Sequence, residues 1–249
     1  MPKVKSRNKS QIVDDNNVVN FYQHEDIQEF LPDYPNPNFE KTQVKLPSYS
    51  LICASGGSGK TNMLVNLLQR WDNTFSDIYI INQAEEPLYD FLLKKIPKGL
   101  TITHKMSDLP TFEELGKSKK TQKLFIFDDM LFVKNSIDYI NTLFKRGRKV
   151  GATVIFISQS FYDTEKFIRK QIHYLFLLSI SGKRDLDAIL RTYNFNDVDD
   201  RILTRIFKDA TKQHLNFLKI DVRNTNINKK FSKNFLEFYK IKEDDSDDE

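Results

Sequence analysis

The sequence lacks the features that mark secreted and membrane-spanning proteins. It contains a single cysteine, Cys53, which excludes an intramolecular disulfide. Its longest apolar run, residues 174–180, is far shorter than the roughly 20 residues that a helix needs to cross a bilayer. The N-terminal residues MPKVKSRNK are basic and no apolar stretch follows them, so we expect no secretory signal. Together these absences predict a reducing, intracellular compartment.

The net charge of +4 hides an uneven distribution of charge along the 249 residues. The last seven residues, EDDSDDE, carry six carboxylates. Residues 1–242 alone therefore hold 38 basic and 28 acidic side chains, a net charge of +10. A basic body with an acidic tail is compatible with a polyanionic partner such as DNA. Plain solvated disorder of both termini is the alternative explanation.

Residues 54–61 read ASGGSGKT, the pattern of a phosphate-binding loop (P-loop), between a strand-like run and a helical run. Residues 49–53 suit a buried strand, and in residues 62–71 apolar side chains recur every three or four positions. In such a loop, backbone N–H groups at the helix N-terminus converge on an anion, and the glycines let the main chain wrap it closely. The candidate nucleotide-binding residues are Ser55, Gly56, Gly57, Ser58, Gly59, Lys60, Thr61 and Asn62.

Two residues of this loop carry specific chemistry. The Lys60 ammonium can reach the β- and γ-phosphates of a nucleotide, and the Thr61 hydroxyl can bind Mg²⁺. Ala54 stands where the stricter form of the pattern has glycine. The alternative interpretation is a Gly/Ser-rich turn in an unrelated α/β protein.

Strand-like and helical patterns alternate from about residue 42 to residue 221. We predict buried strands at residues 49–53, 78–81, 100–102, 124–127, 153–157, 174–178 and 215–220. We predict helices directly after the P-loop and at residues 137–144, 185–193 and 197–207. A further helix is predicted to begin with Asp163 or Thr164 as its N-cap and to run to Ile172. Continuous apolar strands alternating with helices predict an α/β fold whose mostly parallel sheet is covered by helices on both faces.

Two adjacent carboxylates, Asp128 and Asp129, follow the predicted strand at residues 124–127. Ligands of parallel sheets bind outside the carboxyl ends of the strands, where the P-loop also lies. Asp128 would hold Mg²⁺, and Asp129 could polarise the attacking water. A pair of helix-capping aspartates is the alternative interpretation.

Further candidates are a glutamine and two arginines. Gln159 follows the predicted strand at residues 153–157, where its amide could sense the γ-phosphate; a solvated loop residue is the alternative. Arg146 and Arg148 flank Gly147 in the basic run KRGRK, which follows a predicted helix. A helix dipole explains one of these cations, and a phosphate or DNA contact explains two arginines better. Arg184 is a further candidate for an arginine that stabilises a developing phosphoryl charge.

No NKxD motif follows the fourth or fifth predicted strand, so guanine specificity lacks its usual support and ATP is the expected nucleotide. The chain then divides into three predicted segments. Residues 1–41 form a flexible N-terminal arm that is polar at first and holds three prolines within residues 31–38. Residues 42–221 form a P-loop ATPase domain. Residues 222–249 form a C-terminal extension that ends in the acidic tail.

Taken together, the motifs ASGGSGKT, LFIFDD, KRGRK and ISQS resemble the genome-packaging ATPases of large DNA viruses and virophages. These form the poxvirus-type branch of the FtsK–HerA superfamily, and the resemblance spans about residues 42–195. It implies a P-loop NTPase of the additional-strand type, in which residues 153–157 lie between the P-loop strand and the Asp128 strand. The double Asp departs from the Asp-Glu pair that is common in the wider superfamily.

The resemblance also implies a function, which is ATP-driven translocation of double-stranded viral DNA into a preformed capsid. The implied cofactors are ATP and Mg²⁺. The implied partners are nonspecifically bound DNA, a homo-oligomeric ring in which Arg146 or Arg148 reaches a neighbour's ATP, and capsid portal or vertex proteins. The implied location is the virus factory in the host cytoplasm, or the virion. A P-loop nucleotide kinase and a nucleotide-gated assembly protein with little turnover are the alternatives.

Overall fold

A computed structural model of the protein describes residues 20–130, 136–180, 183–193, 195 and 198–241. The chain divides into two compact units between Asp33 and Tyr34. In the first unit, a 3₁₀ turn at Phe21–Gln23 and a short helix α1 at Glu25–Gln28 contain no buried residue. Residues 1–19 of the predicted arm and the acidic tail at residues 243–249 lie outside the described residues.

The second unit is built on one sheet, in which nine strands are described. In spatial order the strands run β3-β2-β4-β5-β1-β6-β7-β8-β9. Pairing is parallel from β3 through β6 and antiparallel from β6 through β9. The bounds are β1 Tyr49–Cys53, β2 Asp77–Ile81, β3 Leu100–Thr103, β4 Lys123–Asp128, β5 Ala152–Ser158, β6 Tyr174–Leu177, β7 Leu218–Asp221, β8 Phe231–Lys233 and β9 Glu237–Phe238.

Helices cover both faces of this sheet, as the sequence predicts. They are α2 Phe39–Thr42, α3 Lys60–Arg70, α4 Pro87–Lys95, α5 Phe112–Lys117, α6 Ile137–Arg146, α7 Lys166–Gln171, α8 Lys183–Thr192 and α9 Asp200–Ala210. Apolar residues of α3 and α4 pack with Ile52 and Ile126 on one face, and those of α6 to α9 pack with Leu51 and Phe125 on the other. Because alternate residues of each strand enter opposite clusters, the central strands are buried on both faces.

The order of the central strands decides where the site lies. Strand β5 is inserted between the P-loop strand β1 and the Asp128 strand β4, which confirms the predicted additional strand. All three are parallel and in register, with Cys53 beside Ser158 and Ile157 beside Asp128. Their carboxyl ends therefore bring the P-loop, Asp128 and Gln159 to one edge of the sheet.

Three details differ from the sequence predictions. Helix α7 begins at Lys166 after Glu165 and has no side-chain cap, so the predicted cap at Asp163 or Thr164 is wrong. The Thr164 hydroxyl instead donates to the Ser160 carbonyl, at 2.8 Å. The last helix, predicted for residues 197–207, runs Asp200–Ala210, and Asp197 lies outside the described residues. The sheet also continues past residue 221 through β8 and β9.

No helix in the described part of the chain is long and apolar enough to span a membrane.

Candidate nucleotide-binding site

The P-loop leads from the carboxyl end of β1 into the first turn of α3. Gly57 and Gly59 have φ angles of 72° and 89°, a left-handed conformation that glycine adopts without steric cost. A Cβ at Gly59 would in addition clash with the Leu215 side chain. The Ser58 hydroxyl donates to the Ser55 carbonyl at 2.7 Å, and the Ser55 N–H donates to the Ser179 carbonyl at 2.8 Å. The first bond closes the loop on itself, and the second holds it against the chain that follows β6.

A cavity of about 420 Å³ opens at this edge of the sheet. Of the predicted nucleotide-binding residues, Gly57, Gly59, Lys60, Thr61 and Asn62 line it, whereas Ser55, Gly56 and Ser58 lie in the same loop outside its wall. The other walls are Asp128 and Asp129 at the end of β4 and residues 82–86 after β2. The structure therefore brings the loop and both predicted carboxylates together around one space.

The Lys60 and Thr61 side chains are already held by neighbouring groups. Lys60 Nζ donates to the Ala54 carbonyl at 3.1 Å, across the mouth of the loop. Thr61 Oγ1 donates to Glu86 Oε2 at 3.3 Å, and Glu86 Oε1 accepts the Leu88 N–H as the N-cap of α4. Because the Thr61 hydroxyl is the donor in its hydrogen bond to Glu86, the lone pairs of its oxygen stay available to a cation.

Sequence reasoning missed Glu86 as a residue of this site. The signal was present, because the pair Glu85-Glu86 follows the predicted strand at residues 78–81 and the carboxyl ends of parallel strands share an edge. What the sequence did not reveal is the path of the loop, which turns Glu86 back onto Thr61.

Asp128 is held by Tyr89, a second residue that sequence reasoning missed. The Tyr89 hydroxyl donates to Asp128 Oδ2 at 2.6 Å, and Tyr89 is only 2% exposed. Burial raises the pKa of Asp128, while the Tyr89 hydrogen bond and the charge of Lys60 oppose that rise. The pKa of Tyr89 is itself raised, mainly by burial and next by the charge of Asp128. The phenol therefore stays protonated and acts as the hydrogen-bond donor to Asp128.

Asp129 and Gln159 form a pair at the edge of the cavity. Asp129 has a φ of 54°, a left-handed conformation that Asp tolerates better than most residues, and its N–H donates to the Ile157 carbonyl at 3.1 Å. Gln159 Nε2 donates to Asp129 Oδ2 at 2.9 Å. Gln159 therefore lies beside the predicted base and orients its carboxylate.

The structure does not bring Arg146 and Arg148 to this cavity. Both precede β5, whose seven residues span about 20 Å, so they lie at the opposite edge of the sheet from their own P-loop. The Arg146 guanidinium lies over the Phe112 ring, 5.8 Å from its centroid. Arg184 lies in the first turn of α8, after the carboxyl end of β6, with its guanidinium 3.5 Å from the Tyr162 ring centroid. Neither Arg146 nor Arg148 therefore lies where it could contact a nucleotide in this cavity.

The oxygen ligands at the cavity fit a magnesium ion. No group of three or more His, Cys, Asp or Glu side chains within the described ranges is arranged to hold a metal ion. Mg²⁺ in nucleotide sites, however, is usually bound through one or two carboxylates, together with water and the phosphates. The Thr61 hydroxyl and the Asp128 carboxylate are such hard oxygen donors, and both line the cavity.

Comparison with known proteins identifies the fold and the family. A family model described as "Poxvirus A32 protein" matches residues 37–230. The genome packaging NTPase B204 from Sulfolobus turreted icosahedral virus 2, solved with AMP, is 16% identical with a TM-score of 0.55, covering 77% of this chain and 98% of that chain. The complex of B204 with ATP-gammaS gives 16% identity and a TM-score of 0.53, covering 76% and 98%.

A bacterial ATPase shares the fold over part of its length. The cytoplasmic domain of the Type VII secretion ATPase EccC from Thermomonospora curvata is 10% identical with a TM-score of 0.54, covering 77% of this chain and 25% of that chain. At such identities structural likeness shows the fold alone, and it confirms the predicted P-loop NTPase fold. The family match confirms the predicted resemblance to viral packaging ATPases. No curated protein sequence matches this chain significantly.

Proposed function

We propose that this chain, which belongs to the poxvirus A32 protein family, is an ATP-hydrolysing motor that translocates double-stranded viral DNA into a preformed capsid. The observation that carries the proposal is the single cavity lined by Lys60, Thr61, Asp128 and Asp129. This cavity places the side chains suited to bind phosphate, Lys60 and Thr61, close to the two carboxylates suited to hydrolysis. The solved relatives include complexes of B204 with AMP and ATP-gammaS, which supports nucleotide as the ligand here.

Each residue of the cavity has a defined part in this account. Lys60 leaves the Ala54 carbonyl to meet the β- and γ-phosphates. Thr61 and Asp128 would hold Mg²⁺, which when bound neutralises phosphate charge, and Glu86 and Tyr89 orient those two ligands. Asp129, fixed by Gln159, polarises the attacking water. Gln159 directly follows strand β5, so a change in its hydrogen bond to Asp129 on hydrolysis would couple the state of the γ-phosphate to that strand.

The DNA partner follows from charge and from the family. Residues 1–242 carry a net charge of +10, which suits a polyanion bound mainly through its phosphates and hence without sequence preference. In a ring of identical subunits, closure on ATP at each subunit boundary would move the DNA. Capsid portal or vertex proteins would anchor the ring, in the virus factory of the host cytoplasm or on the virion.

Turnover measured with and without duplex DNA tests this function. We expect ATP to be hydrolysed without any phosphate acceptor, and faster when duplex DNA of any sequence is added, because DNA engages the ring that completes each site. A requirement for a nucleoside monophosphate acceptor would instead identify a nucleotide kinase. Tight ATP binding with no turnover under either condition would identify a nucleotide-gated assembly protein.

Tyr89→Phe tests the support of Asp128. Loss of the phenol removes a hydrogen bond to a charged carboxylate, which typically contributes about 1.5–3 kcal/mol, so turnover at neutral pH should fall by at least about 10-fold. The pKa of Asp128 should rise further. Asp128 must be ionised to bind a cation, so turnover declines as the pH falls through this pKa, and in the variant the decline should begin at higher pH.

A carboxyl ¹³C titration of the metal-free protein measures this pKa without relying on activity. Tyr139→Phe is the matched control, because it removes a hydroxyl that donates to the Pro110 carbonyl, away from the cavity. An Asp128 titration that is identical in wild type and Tyr89→Phe would show that Tyr89 does not support this carboxylate.

A further inference from the structure

A second cavity, of about 450 Å³, lies at the edge of the sheet opposite the nucleotide cavity. It opens beside the amino ends of β1, β5 and β6, and the carboxyl end of β7 also reaches it because β7 runs antiparallel to β6. The ionisable side chains that line it are Lys45, Arg148, His173, Tyr174, Asp221 and Arg223. The nucleotide site does not use this cavity.

The charges around this basic cavity are not balanced. Neither Arg148 nor Arg223 forms an ion pair with a carboxylate in the described part of the chain. Among the described residues, the Arg223 guanidinium donates one long hydrogen bond, 3.4 Å, to the Gln171 carbonyl. Burial and the charge of Arg148 together lower the pKa of Arg223. The two guanidinium groups therefore repel each other across a space in which Asp221 is the one carboxylate among the described lining residues.

Asp221 offsets only part of this positive charge. Its Oδ2 accepts from Asn224 Nδ2 and its Oδ1 from the Arg223 backbone N–H, each at 3.3 Å. Burial raises the pKa of Asp221, while these two hydrogen bonds and the charges of Lys219 and Lys230 oppose that rise. With Lys45 added, three cations line the cavity against one carboxylate.

His173 adds a donor whose direction is fixed. The Tyr49 N–H donates to His173 Nδ1 at 3.3 Å, and the ring stacks on Tyr49 with the centroids 5.2 Å apart. Burial, with Arg223 and Arg148 nearby, lowers the pKa of His173 to about 3, so the imidazole is neutral near pH 7. Since Nδ1 accepts, the proton is on Nε2. His173 is only 7% exposed, and its Nε2 has no hydrogen-bond partner among the described residues.

We propose that this basic cavity is a binding site for a phosphate group, contributed either by free phosphate or by the backbone of DNA. Two arginine forks and a lysine provide charge-assisted donors for the oxygens of a phosphate, and an anion between Arg148 and Arg223 relieves their repulsion. His173 lines the same cavity, and a bound phosphate can give its Nε2–H the acceptor that the described residues do not provide. The site is independent of the P-loop, because β5 separates the two cavities by about 20 Å.

The test uses the full-length protein with its P-loop filled by Mg²⁺ and a non-hydrolysable ATP analogue, so that added phosphate cannot act there. Inorganic phosphate is titrated at constant ionic strength and binding is followed by calorimetry. Arg223→Gln should weaken phosphate binding by about 10-fold or more, since it removes a charge-assisted bidentate donor. Arg191→Gln is the matched control, because it removes an exposed arginine outside the cavity and should bind phosphate like wild type.

A second arm identifies the source of the phosphate. If DNA backbone phosphates occupy the site, Arg223→Gln should weaken the binding of a short duplex clearly more than Arg191→Gln does, and inorganic phosphate should compete. If free phosphate is the ligand, the two variants should bind DNA equally while only Arg223→Gln loses phosphate binding. The proposal is wrong if Arg223→Gln and Arg191→Gln match each other with both probes. Phosphate should also shift the imidazole NMR resonances of His173 but not those of exposed His214. His173 resonances that do not move would contradict the proposal independently of any variant.

Discussion

Replacing Lys60 by alanine should reduce ATP turnover by about 10³-fold or more and weaken nucleotide binding. Lys60 is the first residue of α3 and the one cation that lines the nucleotide cavity among the described residues. Its ammonium lies in the loop, 3.1 Å from the Ala54 carbonyl, where a bound phosphate would replace that carbonyl as its partner. Turnover and the affinity for a labelled ATP analogue measure the two losses separately.

Lys94→Ala is the control for this variant, because Lys94 is an exposed lysine in the last turn of α4 and lies outside the cavity. It should leave turnover and nucleotide affinity close to wild type. Near wild-type turnover in Lys60→Ala, with the thermal stability of both variants unchanged, would overturn the assignment of residues 54–61 as the nucleotide-binding loop.

Replacing Arg146 by alanine should cost roughly 10³-fold in turnover while leaving ATP binding mostly intact, if this arginine is donated to a neighbouring subunit's nucleotide. The two arginines of the KRGRK run have different surroundings. Both are exposed, but Arg148 lines the basic cavity with Arg223, whereas Arg146 lies at the end of α6 against the Phe112 ring. Arg146 is therefore the stronger candidate for a residue that acts across a subunit boundary. Arg191→Ala is the matched control, because it also removes an exposed arginine, and it should leave turnover close to wild type.

Mixed rings show whether the arginine acts in trans. An Arg146→Ala subunit has an intact Lys60, and a Lys60→Ala subunit has an intact Arg146. Neighbours of the two kinds can therefore form a complete site at their shared boundary, and a mixture should exceed the activity of either variant alone. If mixed rings form and no mixture exceeds its components, Arg146 does not act in trans, and Arg184, at the carboxyl edge of the sheet, becomes the residue to test.

The sequence was sufficient to predict the centre of this fold. Strands buried on both faces, such as Tyr49–Cys53, are continuous apolar runs that do not depend on distant contacts to be recognised. Because parallel strands end at one edge, the positions of Asp128 and Gln159 after their strands also predicted that they would meet the P-loop. The resemblance supplied what periodicity does not, namely that β5 lies between β1 and β4.

Other features depend on contacts that no local pattern encodes. Strands β8 and β9 are only three and two residues long, so they show no alternation. They form because β8 pairs with the edge of β7 and β9 pairs with β8. Glu86 and Tyr89 reach the site through the fold of the chain after β2, across sequence separations of 25 and 39 residues. The basic cavity likewise joins Arg148 to Arg223, which are far apart in sequence.

The central claim is that ATP hydrolysis by this chain moves duplex DNA. The most direct measurement is ATP-driven displacement of a third-strand oligonucleotide from a duplex, followed by the fluorescence of a label on that strand. The account predicts displacement that requires hydrolysable ATP, proceeds on duplexes of unrelated sequence, and is lost in Lys60→Ala. Brisk ATP hydrolysis in the presence of the duplex, with the third strand still bound, would contradict it.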